Sequence, residues 1–265
     1  MKSLKQQIAQ TFGNKAADYD RHARMQKYAG SQLIKDLKQH LLRDADWSST
    51  KQQSHLDLGT GSGFFLPELK RTFNGKLYAL DLSEGMCRYV AETHSEDAQA
   101  VLVADAEQLP FADNAFSLIY SSMAIQWCQD LPGLFSELSR VIKPGGYLAI
   151  TTLLPNTLSE LKSSWGDVDQ EQHVNRFFPA AEVLMAAQAQ GEVIQARSER
   201  VCLEYPDVKS ILNSIKGIGA NRVTAGSKPM SKKSYKKLLL NYERYRSLSG
   251  GLPASYEVLY LIVKI

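Results

Sequence analysis

The run HLDLGTGSGFFLPELK, His55 to Lys70, constrains this chain more than any other stretch. An apolar strand ends at Asp57, glycines follow in alternation at Gly59, Gly61 and Gly63, and a helical pattern then resumes. Glycines in that position let the backbone turn tightly and meet a ligand without a Cβ in the way, where a parallel sheet opens a crevice beyond its strand ends. The spacing is GxGxG. A dinucleotide-binding turn wants GxGxxG, whose last glycine packs helix on strand over a pyrophosphate. Asp57, just ahead of the loop, is a poor neighbour for phosphate and a good one for a ligand carrying an amino group and a positive sulfur.

The surrounding pattern says what kind of sheet presents that loop. Short apolar runs at 54–57, 76–81, 100–104, 116–121 and 146–153 read as buried strands, and amphipathic segments such as 86–94 and 131–141 lie between them. Strands alternating with helices imply a doubly wound, mostly parallel sheet. Before it, Ile8, Phe12, Leu33, Ile34, Leu37 and Leu41 recur at helical spacing. After it the spacing predicts a helix over 180–189, a strand over EVIQARSERVCLEY, two more helical stretches, and a final SYEVLYLIVKI that reads as an antiparallel edge strand. The chain divides on this reading into a helical arm (1–50), a cofactor-binding core (51–155) and lid or substrate segments with the last strands (156–265).

A chain of 265 residues that is 44% hydrophobic can bury one sizeable core, and a net charge of +3 is too mild to announce a nucleic-acid binder. No segment has the length of a membrane span and the start lacks a secretory pattern, so a cytoplasmic protein without nucleic-acid or membrane partners is expected. Cys87, Cys128 and Cys202 show no disulfide or metal-ligand spacing, and no metal site is expected.

Further carboxylates fall where a nucleoside would need them. Asp81 ends the second strand about twenty residues past the loop, where it can accept both hydroxyls of a ribose. Asp105, followed by Ala106, ends the third and can accept from an adenine amino group. Each alone also reads as a strand-end turn residue; together they point to S-adenosylmethionine, held by Asp57, Gly59, Gly61, Gly63, Asp81, Leu82, Asp105 and Ala106.

The ordered motifs LDLGTGSG, ALDLSEGM, VADAEQLPFADNAFSLIYS and ELSRVIKPGGYLAITT resemble those of class I S-adenosylmethionine-dependent methyltransferases. The departures are small: Ser117 stands where an aspartate commonly follows the phenylalanine, and His55 interrupts an apolar strand. Outside the core, IAQTFGNKAADYDRHARMQ, SSMAIQWCQDL, HVNRFFP, SIKGIGANRV and LPASYEVLY resemble the malonyl-acyl-carrier-protein O-methyltransferases of biotin synthesis. The resemblance implies a Rossmann-like methyltransferase sheet with an antiparallel last strand, a helical N-terminal arm and a helical lid insertion. It also implies methylation of the free carboxylate of a malonyl thioester, carried by acyl carrier protein or by coenzyme A. A C-methyltransferase acting on a quinone precursor and an inactive cofactor-binding module are the competing readings.

A carboxylate is already ionised and nucleophilic at neutral pH, so no general base is required and positioning residues should outnumber catalytic ones. The resemblance makes Tyr19 a lid residue over the cofactor, against a tyrosine that packs the arm onto the core. Gln126 is placed to orient the carboxylate, and Trp127 either walls the pocket or belongs to the core. Arg176, with Asn175 beside it, is expected to clasp the malonyl carboxylate by two parallel bonds, against a salt bridge within the lid. Lys216 is either a phosphopantetheine contact or a helix-end charge. His22, His94 and His173 share no ligand spacing, and each reads as a solvated or locally bonded histidine. Finally, residues 228–242 read as a helix would put Lys232, Lys233, Lys236 and Lys237 on one solvent-facing side, a docking face for an acidic carrier protein.

Overall fold

The structure, a computed structural model, describes residues 4–44, 47, 53–169, 171–218 and 231–265. In chain order these form α1 (Leu4–Gly13), α2 (Ala16–His22), α3 (Arg24–Leu41), β1 (Ser54–Leu58), α4 (Leu66–Thr72), β2 (Lys76–Asp81), α5 (Glu84–Thr93), β3 (Ala100–Val103) and β4 (Phe116–Ser122). They continue as α6 (Leu131–Val141), β5 (Ile142–Leu153), α7 (Ser159–Gly166), α8 (Ala180–Gln188), β6 (Glu192–Tyr205), α9 (Val208–Gly217), α10 (Lys232–Tyr242) and β7 (Leu252–Lys264).

Seven strands make one sheet in the order β3-β2-β1-β4-β5-β7-β6. Strands β1 to β5 pair in parallel, while β7 runs antiparallel to both β5 and β6. The last strand is therefore antiparallel as expected but is not an edge. It is inserted between β5 and β6, because ASYEVLYLIV is apolar on both faces whereas β6 alternates exposed and half-buried residues and takes the edge.

Both faces of the sheet are covered, as the alternation of side chains along each strand requires. Leu118, Tyr120, Tyr260 and Ile262 pack with Leu33 and Leu37 of α3 and Leu66 and Leu69 of α4. Ile119, Leu148, Leu261 and Val263 pack with Leu134 and Leu138 of α6 and Val183 of α8. Local signals set the helix starts: Ser83 Oγ accepts from Met86 N (3.4 Å) ahead of α5, and Asp130 Oδ1 accepts from Gly133 N (3.1 Å) ahead of α6. The strand order reverses between β1 and β4, so the crevice of such a sheet opens beyond the carboxyl ends of β1, β2 and β4. Among the described residues no helix is long and apolar enough to cross a membrane, and no cluster of acidic, histidine and cysteine side chains could hold a metal ion.

Candidate active site

Beyond β1 the chain turns through Gly59, Gly61 and Gly63, all at positive φ (72°, 56° and 78°). At Gly59 this is reinforced by space, since a Cβ there would lie 2.3 Å from that of Ala124 beyond β4. Gly61 opens toward Tyr19, whose ring is the nearest group a side chain there would meet. Gly63 does not line the cleft; it lets the loop close on Val90 of α5 and on His94 just past that helix.

The carboxylates are arranged around that loop. Asp81 accepts from Gly61 N (2.9 Å) and from Ser83 N (2.8 Å), which leaves about half of its acceptor sites for a ligand. Burial holds its carboxyl above the usual range. Asp57 is 3% exposed and accepts from Thr60 Oγ1 (2.6 Å). Burial pushes it from 3.8 up to about 7, outweighing the Thr60 bond. Asp105 sits more openly; its Oδ1 accepts from Glu107 N (3.1 Å).

Helix α1 lies over this arrangement. Lys5, Ile8, Ala9 and Phe12 line the cleft together with Leu58, Gly59, Gly61, Asp81, Leu82, Asp105, Ala106 and Trp127, around about 800 Å³ counted out to its mouth. Lys5 Nζ pairs with Asp105 Oδ2 (2.5 Å) and with Glu107. Ser83 Oγ donates to the Ala9 carbonyl (2.7 Å). Gly13 and Gly85 touch backbone to backbone, and a Cβ on Gly85 would fall 2.6 Å from Gly13 Cα. Sequence reasoning missed Lys5 and Glu107; the glycine in TFGNK is the one local hint of close helix approach.

Two adjoining cavities complete the site. One is lined by Tyr19, Asp20, Gln26, Asp57, Gly59, Gly61 and Ser122, so Asp57 stands at the end of the cleft away from Asp105. The other, the acceptor pocket, is lined by Phe12, Tyr19, Met123, Gln126, Trp127, Leu161, His173, Asn175, Phe177, Ile215 and Ile218. Tyr19 borders all three spaces. Its hydroxyl pKa is raised by burial first, then by Asp81 and Asp20, so it remains a neutral donor at physiological pH. Trp127 stands between cleft and acceptor pocket with Phe12 edge-on at 5.4 Å. Met123 also borders both, held at φ 55° by bonds from its N–H to Thr151, a left-handed conformation that no methionine announces in sequence.

Gln126 faces the acceptor pocket differently from the expectation. Its Nε2 donates to the Met123 carbonyl (2.6 Å), while its Oε1 is buried without a partner among the described residues. It thus offers an acceptor, which suits an N–H better than a carboxylate. Arg176 is a correction: its side chain is exposed and lines a separate groove, not the apolar pocket beside Tyr19, because the segment carrying it runs along the outside of α7. Asn175, its neighbour, borders both spaces.

Lys216 is exposed in the last turn of α9, the place for a helix-end charge, and Ile215 and Ile218 reach the pocket instead. Lys232, Lys233, Lys236 and Lys237 are all exposed on α10, while Leu238 and Tyr242 are buried. The helix begins at Lys232 behind its Ser231 cap, and residues 228–230 lie outside the described residues, as does most of the GIGANRV segment. His94 and His173 are bonded locally, to Asp97 (3.0 Å) and Asp169 (2.7 Å).

Residues 56–150 match the family described as a methyltransferase domain. A structure of the YcgJ protein from Bacillus subtilis superposes with a TM-score of 0.60, covering 88% of this chain and 98% of that one at 16% identity, which speaks to fold. The malonyl-[acyl-carrier protein] O-methyltransferase of Pectobacterium atrosepticum is 36% identical over 98% of this chain and 96% of its own length. That of Hahella chejuensis is 35% identical over 96% and 88%. The biotin biosynthesis bifunctional protein BioHC of Cellvibrio japonicus is 38% identical over 98% of this chain, which spans 50% of that longer protein. With a seven-stranded, mostly parallel sheet and relatives above 30% identity matched over most of both chains, this chain belongs to the malonyl-[acyl-carrier protein] O-methyltransferase family.

Proposed function

We propose that this chain methylates the free carboxylate of a malonyl thioester borne by acyl carrier protein, with S-adenosylmethionine as donor, yielding the methyl ester that enters fatty-acid elongation toward biotin. The observation that carries the reading is the buried Asp57 and the half-buried Asp81, set around the bare Gly59–Gly61 turn and joined through Tyr19 to a second, apolar pocket. A carboxyl raised to about 7 by burial, with Thr60 as its bonded neighbour and no cation beside it among the described residues, matches a ligand that brings an ammonium group. The free acceptor sites of Asp81 match a ribose diol, and Asp105 with Ala106 and Leu82 match an adenine.

S-adenosylmethionine supplies a methyl group on a positively charged sulfur, open to in-line attack. The chain's own residues then hold the partners and exclude water. Phe12, Trp127, Leu161, Phe177, Ile215 and Ile218 give the acceptor pocket apolar walls, so an ionised carboxylate arriving there sheds much of its hydration. Tyr19, a neutral donor at the junction, can hydrogen-bond one carboxylate oxygen and leave the other to react. Gln126 Oε1 can accept from an amide N–H of the thioester arm. Orientation of this kind is worth roughly 7–11 kcal/mol in favourable cases.

The test is incubation with methyl-labelled S-adenosylmethionine and malonyl-acyl carrier protein, followed by intact mass of the carrier. A gain in mass of one labelled methyl group on the malonyl-carrier protein is expected. No gain, with labelling of a quinone precursor instead, would overturn the reading.

A further inference from the structure

The groove that takes Arg176 is unexplained by cofactor and malonyl group alone. It runs beside α7, is lined by Pro155, Lys162, Trp165 and the 171–177 segment, and shares His173, Val174, Asn175 and Phe177 with the acceptor pocket. The two spaces are therefore adjoining, one apolar and one open.

Two cations in that groove lack a carboxylate partner among the described residues. Lys162 is half-buried; its Nζ donates to the Pro155 carbonyl and lies 5.9 Å from the Phe177 ring centroid. Its burial lowers the ammonium pKa with no acid to offset the cost. Arg176 makes no ion pair within the described chain, which leaves its whole fork of donors free. Acids are present, but Asp169 is taken by His173 Nε2 at 2.7 Å, and Glu171 lies exposed at the rim. His173 is itself stacked on Trp165 at 3.7 Å, which fixes that wall. A half-buried ammonium and a free guanidinium on one groove form a site for a compact, multiply charged anion with several acceptor oxygens.

We infer that this groove is the subsite for the phosphate of a phosphopantetheine arm, with Lys162 and Arg176 as its ligands. This rests on the reading of the substrate as a malonyl thioester. The arm would then lie with its phosphate in the groove, its amides past Asn175 and Gln126, and its acyl end toward Tyr19. Helix α10, with its exposed lysines, packs on α7 through Leu238 and Tyr242, and Asn241 Nδ2 donates to the Ser164 carbonyl (3.1 Å). The basic face is thus borne on the same helix pair as Lys162.

Calorimetric titration of 4′-phosphopantetheine and of pantetheine into the full chain tests the subsite without turnover. The phosphorylated compound is expected to bind about tenfold tighter or better, as charge-assisted bonds to a phosphate imply. Arg176→Gln and Lys162→Met, which leaves an apolar stem, should each erase most of that difference while pantetheine binding stays the same. Equal affinities in the parent protein, or a preference that both variants keep, would overturn the assignment. Methyl transfer is read separately on malonyl-carrier protein and malonyl-coenzyme A. A parent that prefers phosphopantetheine but methylates neither would sink the reaction proposed above and leave the groove standing; faster turnover of one thioester names the source of the arm.

Discussion

At the scale of single residues, the feature with the clearest consequence is a carboxylate kept from ionising. Asp57 is raised from 3.8 to about 7 by burial, so below neutrality the free protein holds a proton there that the unfolded chain releases. This residue's contribution to stability therefore falls as pH rises from about 4 to about 7, while affinity for a ligand that needs the ionised form rises over the upper part of that range. Affinity for S-adenosylmethionine should drop about tenfold per unit below pH 7. In Asp57→Asn it should be weak and flat. Calorimetry at several pH values checks this, and a parent profile without a break near neutrality would detach Asp57 from the ligand's amino group. Asp57 was legible from its place before the glycines; the unpaired Gln126 Oε1 was not, because side-chain direction depends on Met123, bent back by bonds to Thr151 across the sheet.

At the scale of elements, α1 acts as a cover whose hold is electrostatic at one end and steric at the other. Lys5 is clasped by Asp105 and Glu107, and Glu107 in turn accepts from the backbone of Gln129 (2.8 Å) and Asp130 (2.7 Å) ahead of α6. The clasp thus ties the arm, the end of β3 and the start of α6 together over the Asp105 end of the cleft. Lys5→Met should raise the KM for S-adenosylmethionine about fivefold, ~1 kcal/mol for a partly exposed ion pair. Moderate salt should produce part of the same effect in the parent and little in the variant. An unchanged KM in the variant would mean that Phe12 and the Gly13–Gly85 contact hold the cover by themselves. The helical character of the arm could be read from its apolar spacing, but its landing place could not, since Lys5 and Asp105 meet only after 100 residues of intervening fold.

At the scale of the whole molecule, charge and topology divide the work. Lysines on α10 stand clear of the core that Leu238 and Tyr242 anchor, so altering them leaves packing intact. Lys233→Glu with Lys237→Glu should slow methylation of malonyl-carrier protein about tenfold at low ionic strength and flatten its salt dependence, with cofactor affinity unchanged. Initial rates across a salt series check it; equal rates at low salt would place the carrier elsewhere.

The sequence by itself determined the alternation that makes a doubly wound sheet, the turn at Gly59 and Gly61, and the strand-end positions of Asp57, Asp81 and Asp105 around the cleft. These are local properties: period, backbone freedom, and a short spacing between a strand and its following residue. Only the tertiary structure decided that β7 lies inside the sheet, that Tyr19 meets three cavities, that Lys216 stays at a helix end, and that Arg176 lines a groove with Lys162. Each of those depends on which distant segments share a neighbour once both faces of the sheet are covered. Hydrophobic pattern selects the face a residue presents, but the particular surface met by that face is set by the packing of the whole chain.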